Sequence, residues 1–249
     1  GVPGLAVGDR VGYTLANGAY ATHRVIDAGY VVKLPDNVSS ELAASIILKG
    51  LTVAYLIHDS FKVEAGHTVL FHAAAGGVGL IAGQWLNALG ATVIGTAGGA
   101  EKCALAKANG YHHVIDYTST DFEAEVMRLT DGKGVDVTYD SVGNETMARS
   151  LTSTRRHGTI IAFGQSSGAY LDFKISDLAK GSYKLSRPTL FHFVGERDWL
   201  EANSAKLFTA VTDGTVDISI NQKFPLVDVA KAHDALTGRA TTGSTILTV

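Results

Sequence analysis

The run Ala73-Ala74-Ala75-Gly76-Gly77-Val78-Gly79 follows an apolar stretch, Thr68-Val69-Leu70-Phe71-His72, and opens a segment with helical periodicity from Gly77 to Leu89. Strand, glycine-rich turn and helix in that order make the arrangement that holds the pyrophosphate of a dinucleotide. The usual first glycine is Ala74 here, so the loop reads A-x-G-x-x-G. Gly76 lets a pyrophosphate approach the backbone, and Gly79 lets the helix pack closely on the strand. The first turn of the helix supplies free N–H groups and the positive end of the helix dipole. An ordinary strand-to-helix turn can share this pattern. The repeated strand-helix units downstream favour the dinucleotide reading.

The end of the next strand selects between nicotinamide cofactors. An NAD-binding chain usually carries an acid there, which holds the ribose 2′-hydroxyl. This chain reads Thr96-Ala97-Gly98-Gly99-Ala100-Glu101-Lys102, with Glu101 displaced to the start of a helix. The small residues leave room for a 2′-phosphate, and Lys102 can reach it. On spacing alone, Lys102 reads equally well as a solvated helix lysine. The missing acid and the small residues are compatible with NADPH, with the part of Lys102 open on spacing alone.

Metal chemistry is not expected. Cys103 is the only thiol, and the nine histidines show neither H-x-x-H nor H-E-x-x-H spacing. His112 and His113 are adjacent and would point to opposite faces of a strand. No acid-base pair commits a proton donor, so no catalytic residue is named. Hydride transfer would belong to the cofactor.

These groups need a scaffold. The 249 residues are 46% hydrophobic and 18% charged, a globular balance. Net charge is -3, which gives no basic surface for nucleic acid or an anionic membrane. One cysteine excludes an internal disulfide and suits a reducing, cytoplasmic compartment. No membrane span is expected. The chain opens Gly1-Val2-Pro3-Gly4, without an initiator methionine, and is expected to be a piece of a longer protein.

Strands are expected near Val11, over 18–25 and over 31–35. Helices are expected over 39–47 and 52–59. From Thr68 onward strands and helices alternate, which argues a parallel sheet. Helices over 199–212 and 228–236 and a terminal strand, Thr245 to Val249, close the chain. The expected architecture is a Rossmann doubly wound domain over 51–190, with six parallel strands. Residues 1–50 and 191–249 join in a partial β-rich domain, with the cofactor between the two. The segment Ser182-Tyr183-Lys184-Leu185-Ser186 is expected as the sixth, edge strand.

Lys49-Gly50-Leu51-Thr52-Val53, the Phe71–Gly79 run, Tyr139-Asp140-Ser141-Val142-Gly143, Phe163-Gly164-Gln165-Ser166-Ser167-Gly168, Arg187-Pro188 and Arg239-Ala240-Thr241-Thr242-Gly243 are more specific together than any one alone. On these stretches the chain closely resembles the zeta-crystallin-like NADPH-dependent quinone oxidoreductases of the medium-chain dehydrogenase/reductase superfamily. The resemblance implies metal-free hydride transfer to a quinone-like electrophile, and makes the β-rich part a partial GroES-like domain. It implies that Gly76, Gly77 and Val78 bind pyrophosphate and that Gly98, Lys102 and Tyr117 surround the 2′-phosphate. Tyr55, Ser141, Phe163, Gly164, Gln165, Ser166, Pro188, Thr189 and Leu190 would line the nicotinamide half. Arg239 would approach the adenosine phosphates from the other domain. Tyr55 could equally be a core tyrosine, and Ser141 a turn residue. Relatives of this kind pair the sixth strand across a two-fold axis, so a homodimer is expected. The family's Asn/Asp/Tyr cluster near the nicotinamide has no counterpart here. The alternatives are an enoyl or alkenal reductase with the same cofactor site, and an NADPH-binding protein without turnover.

Overall fold

The computed structural model describes residues 4–14, 17–238, 241 and 243–249. The chain runs β1 (Val11–Tyr13), β2 (Val31–Lys33), α1 (Ser40–Ala54), β3 (Thr68–Phe71), α2 (Gly77–Ala88), β4 (Thr92–Ala97), α3 (Ala100–Ala108), β5 (His113–Asp116), α4 (Phe122–Leu129), β6 (Val135–Asp140), α5 (Met147–Ser153), β7 (Thr154–Ala162), β8 (Lys184–Ser186), α6 (Leu190–Val194), α7 (Arg197–Thr212), β9 (Ile220–Pro225), α8 (Val229–Thr237) and β10 (Ser244–Thr248). It divides into two compact units. One is Gly1–Ala54 with Leu190–Val249; the other is Tyr55–Thr189.

The second unit is a six-stranded sheet in the order β5-β4-β3-β6-β7-β8, parallel throughout. This is the doubly wound order, with its switch point between β3 and β6. The central strands read as apolar runs because both faces are covered: all but one residue of each of β3 and β6 is buried. On one side Leu70, Ile94, Ile115, Phe122, Val126 and Val135 form a cluster under α4. Another cluster joins Met147, Leu151, Ile160 and Ala162, with Leu185 of the edge strand packed against it.

The first unit is less strand-rich than expected. Among the described residues its two sheets, antiparallel β1-β2 and parallel β9-β10, use strands of 3, 3, 6 and 5 residues, whereas α1 and α7 are 15 and 16 residues long. The expected strand over 18–25 is a run of bends. Gly18 sits at φ +101, and the Arg24 guanidinium donates to the Asn17 carbonyl and the Tyr13 hydroxyl, which folds the segment back. Its alternation covers no core, since Tyr20 is 58% and Val25 98% exposed. β9 was not expected. It joins the anticipated terminal strand β10 through α8, a parallel pair with a helical crossover.

The two helices expected around Gly50 are one. α1 runs through Gly50 and continues as a π-helical turn, Tyr55–Ser60. A Cβ at Gly50 would lie 2.3 Å from a Leu207 methyl, so glycine admits α7 there rather than ending the helix. The merged run is long and apolar enough to cross a membrane by length and composition only, a test that a buried core helix also passes, and 61% of its most apolar 18-residue window is buried inside the protein. The sixth strand begins at Lys184 rather than Ser182, because Ser182 adopts φ +51 and turns the chain before the strand.

Candidate cofactor site at the carboxyl ends of the parallel strands

Gly76 caps α2 without a side-chain hydrogen bond. The N–H groups of Gly77, Val78 and Gly79 in the first turn therefore have no intrahelical carbonyl. The loop reaches this position through Ala73, held at φ 55, an uncommon backbone for alanine. A Cβ on Gly76 would meet only the Ala73 carbonyl oxygen, at 3.1 Å, so its outer face is open. A Cβ on Gly79 would lie 2.4 Å from that oxygen and 2.5 Å from the Ala74 carbonyl. Gly76 is thus the glycine a ligand needs, and Gly79 the glycine the fold needs. Tyr111 fixes the same turn: its buried hydroxyl donates to the Gly79 carbonyl at 2.8 Å.

At the end of β4, Gly98 meets Tyr117, which follows β5. A Cβ on Gly98 would stand 2.7 Å from the Tyr117 hydroxyl. Tyr117 is 55% exposed, and Lys102 is exposed on the first turn of α3. Asp116 shapes this corner. Its Oδ1 accepts from the Gly99 N–H at 3.0 Å and from the Thr118 N–H and hydroxyl at 3.0 and 2.6 Å. Those bonds hold its carboxyl below the usual range, the Gly99 bond foremost.

The ends of β6 and β7 interlock. Gly164 lies against Ser141, where a Cβ would be 2.7 Å from the Ser141 carbonyl oxygen. The Ser166 N–H donates to that carbonyl at 3.0 Å, and the Phe163 N–H to the Asp140 carbonyl at 2.8 Å. The Phe163 ring packs 5.7 Å from Phe71. Gln165 lies beside Gly143. Tyr55 is 2% exposed at the start of the π-helical turn. Burial pushes its pKa up to about 12, opposed by the positive charge of Arg187, which precedes Pro188 and Thr189. The hydroxyl is therefore protonated at neutral pH.

The second unit thus places the predicted residues Gly76, Gly77, Val78, Gly98, Tyr117, Ser141, Phe163, Gly164, Gln165 and Ser166 directly after the carboxyl ends of β3 to β7, with Lys102 one helical turn further on. Pro188 and Thr189 follow β8. Leu190, by contrast, opens α6 in the first unit and is buried. Arg239 lies outside the described residues.

Sequence reasoning passed over Asp116 and Asp140 as site-shaping residues. Each ends a strand and accepts from the N–H two residues on: Thr118 for Asp116, and Val142, at 2.8 Å, for Asp140. A strand-terminal Asp before small or turn residues is the available signal. A cavity of about 540 Å³ in the first unit, lined by Val32, Arg197, Ser204 and Phe208 among others, holds none of the predicted site residues.

An open glycine-lined cradle, free helix N–H groups and a switch-point location fit a dinucleotide. Small residues with a nearby lysine and tyrosine at the end of β4 fit a 2′-phosphate. Among the described residues, no three His, Cys, Asp or Glu side chains gather where a metal could be held.

Fold and site together define a nicotinamide-dinucleotide oxidoreductase of the doubly wound α/β type. The comparisons make this more specific. A family described as zinc-binding dehydrogenase matches residues 77–204. A quinone oxidoreductase of Pseudomonas aeruginosa is 43% identical over 97% of this chain and 75% of its own length. A 2-haloacrylate reductase of a Burkholderia species is 41% identical over 99% of this chain and 76% of its own. The crystal structure of Escherichia coli quinone oxidoreductase complexed with NADPH superposes with a TM-score of 0.95 at 42% identity, covering 100% of this chain and 77% of that one. The chain belongs to the quinone oxidoreductase family of the medium-chain dehydrogenase/reductase superfamily.

Proposed function

We propose that this protein is an NADPH:quinone oxidoreductase that works without a metal. The observation that carries the reading is the open Gly76 cradle at the start of α2, with the Gly98–Tyr117 corner beside it. NADPH supplies the hydride when bound. The chain's own residues do the rest. The first turn of α2 holds the pyrophosphate. Lys102 and Tyr117 hold the 2′-phosphate, with Gly98 leaving it room. Ser141, Phe163, Gly164, Gln165 and Ser166 line the nicotinamide half, joined by Tyr55, Pro188, Thr189 and Leu190. Arg239 is assigned to the adenosine phosphates.

Family membership and the NADPH-bound relative support the cofactor. A quinone is the proposed electrophile. An activated alkene is the second reading, favoured by the 41%-identical 2-haloacrylate reductase. Full-length protein assayed with NADPH against quinones, enones, haloacrylate and alcohols separates these. Quinone-dependent NADPH oxidation supports the first reading, and turnover confined to alkenes supports the second. Tight NADPH binding without turnover on any of them leaves a binding protein.

The protein is further proposed to act in the cytoplasm, since its single cysteine suits a reducing compartment. It is proposed to form a homodimer through β8. That strand is the sheet edge, and an unpaired edge is a template for a second copy.

A further inference from the structure

Four buried side chains link the ends of β3, β4 and β6. His72 follows β3 and is fully buried, as are Asp140 and Ser150; Thr96 is 2% exposed. His72 Nδ1 lies 2.9 Å from the Thr96 hydroxyl, and Nε2 lies 3.0 Å from the Ser150 hydroxyl. The Ser150 hydroxyl donates to Asp140 Oδ2 at 2.7 Å. Asp140 Oδ1 already accepts from the Val142 N–H at 2.8 Å, the Gly143 N–H at 3.0 Å and the Thr146 hydroxyl at 2.9 Å.

The direction of this chain is determined. A carboxylate only accepts, so Ser150 spends its one proton on Asp140 and must accept from His72 Nε2–H. A neutral imidazole then presents a bare Nδ1, to which the Thr96 hydroxyl donates. Burial disfavours a second proton on His72. Arg149 acts in the same sense, its guanidinium stacked on the Phe122 ring that meets His72 edge-on, while Asp140 opposes them.

Each link leads to a cofactor loop. His72 precedes the glycine loop. Thr96 precedes Gly98, and its carbonyl accepts from the Ala74 N–H at 2.9 Å. Asp140 shapes the turn that contains Ser141. We propose that His72 is a positioning residue for NADPH: as the neutral Nε2–H tautomer it completes a one-way hydrogen-bond chain, Thr96 to His72 to Ser150 to Asp140, that sets the glycine loop, the 2′-phosphate corner and the Ser141 turn relative to one another. This role rests on the NADPH reading above.

The test uses full-length protein, its Thr96→Val and Ser150→Ala variants and the double variant. NADPH Kd is read by fluorescence titration, with quinone KM and Tm measured alongside. One broken link should raise NADPH Kd roughly three- to tenfold and leave quinone KM unchanged. The double variant should be no worse than the weaker-binding single variant, because one break already interrupts the chain. Lowered Tm with unchanged NADPH Kd overturns the proposal, and so do effects that multiply in the double variant. Imidazole ¹⁵N–¹H correlation spectra of the wild type, which need no cofactor, should show His72 protonated on Nε2 alone; a proton on Nδ1 overturns the proposal even if no variant folds. Wild-type protein that binds no NADPH overturns the functional reading and the role of His72 with it. Wild-type affinity retained in all variants overturns only the latter.

Discussion

The Gly99 N–H donates to Asp116 Oδ1 at 3.0 Å, which ties the loop after β4 to the end of β5. Asp116 occupies the corner from the neighbouring strand and points its carboxylate at backbone and at Thr118, leaving the end of β4 itself without an acid. Asp116→Ala should free Gly98 and Gly99 and weaken NADPH several-fold more than NADH, because the 2′-phosphate corner loses its frame. Paired cofactor titrations check this. Equal losses for both cofactors would place the effect elsewhere.

The two glycines of the phosphate loop should fail differently. Gly79→Ala puts a methyl against two backbone carbonyl oxygens that cannot move aside cheaply. Overpacking of this kind costs about 1–3 kcal/mol, or a Tm drop of roughly 2–12 °C for a chain of this size. Gly76→Val should fold with little change in Tm but lose NADPH binding, since its side chain occupies the ligand's space. Thermal melts and titrations on both variants separate the roles; a Gly76→Val variant that binds like wild type would contradict the assignment.

Much of this was legible in sequence. Thr68–Phe71, Gly77–Ala88 and Thr92–Ala97 announced themselves because buried parallel strands are apolar runs and the glycines between them have specific duties. The Asp140–Ser150–His72 chain did not. Ser150 lies ten residues from Asp140 and 78 from His72, and no periodicity encodes that meeting. The separate helices expected over 39–47 and 52–59 are one because Gly50 stays helical where Leu207 packs against it, a contact 157 residues away that no local pattern encodes. Residues 18–25 misled because alternation is a strand signal only where one face is covered.

Acid should expose the state of His72. Its pKa lies below the ordinary histidine value, mainly through burial. Below about pH 6.5 the unfolded chain takes a proton that the folded chain refuses. Stability should therefore be complete above pH 6.5 and fall as pH drops toward the folded pKa. His113 acts in the same sense, lowered by burial and by Lys107, so the variant isolates the effect. Asp116 and Asp121 have lowered values and lose their contributions only below about pH 4. Denaturant melts from pH 8 to 5 should show the loss in wild type and a flatter profile in His72→Gln. Parallel profiles would mean that His72 is not the group titrating.

The dimer should appear in light scattering at micromolar concentration, and a monomer there would rule it out. If the protein is dimeric, Leu185→Pro removes a backbone donor from the edge and should shift it toward monomer. Leu185 also packs on the Ile160 cluster, so circular dichroism must first show the variant folded. A folded variant that stays equally dimeric would move the interface off β8.

The most direct test is steady-state cofactor oxidation with 1,4-benzoquinone, NADPH against NADH, in wild type and Lys102→Ala. A charge-assisted phosphate contact contributes about 1.5–3 kcal/mol. NADPH oxidation should require the quinone, and kcat/KM for NADPH should exceed that for NADH. Lys102→Ala should lower the NADPH value roughly ten- to hundredfold while barely changing the NADH value. Quinone-independent oxidation, or equal use of both cofactors with no effect of Lys102→Ala, would contradict the account.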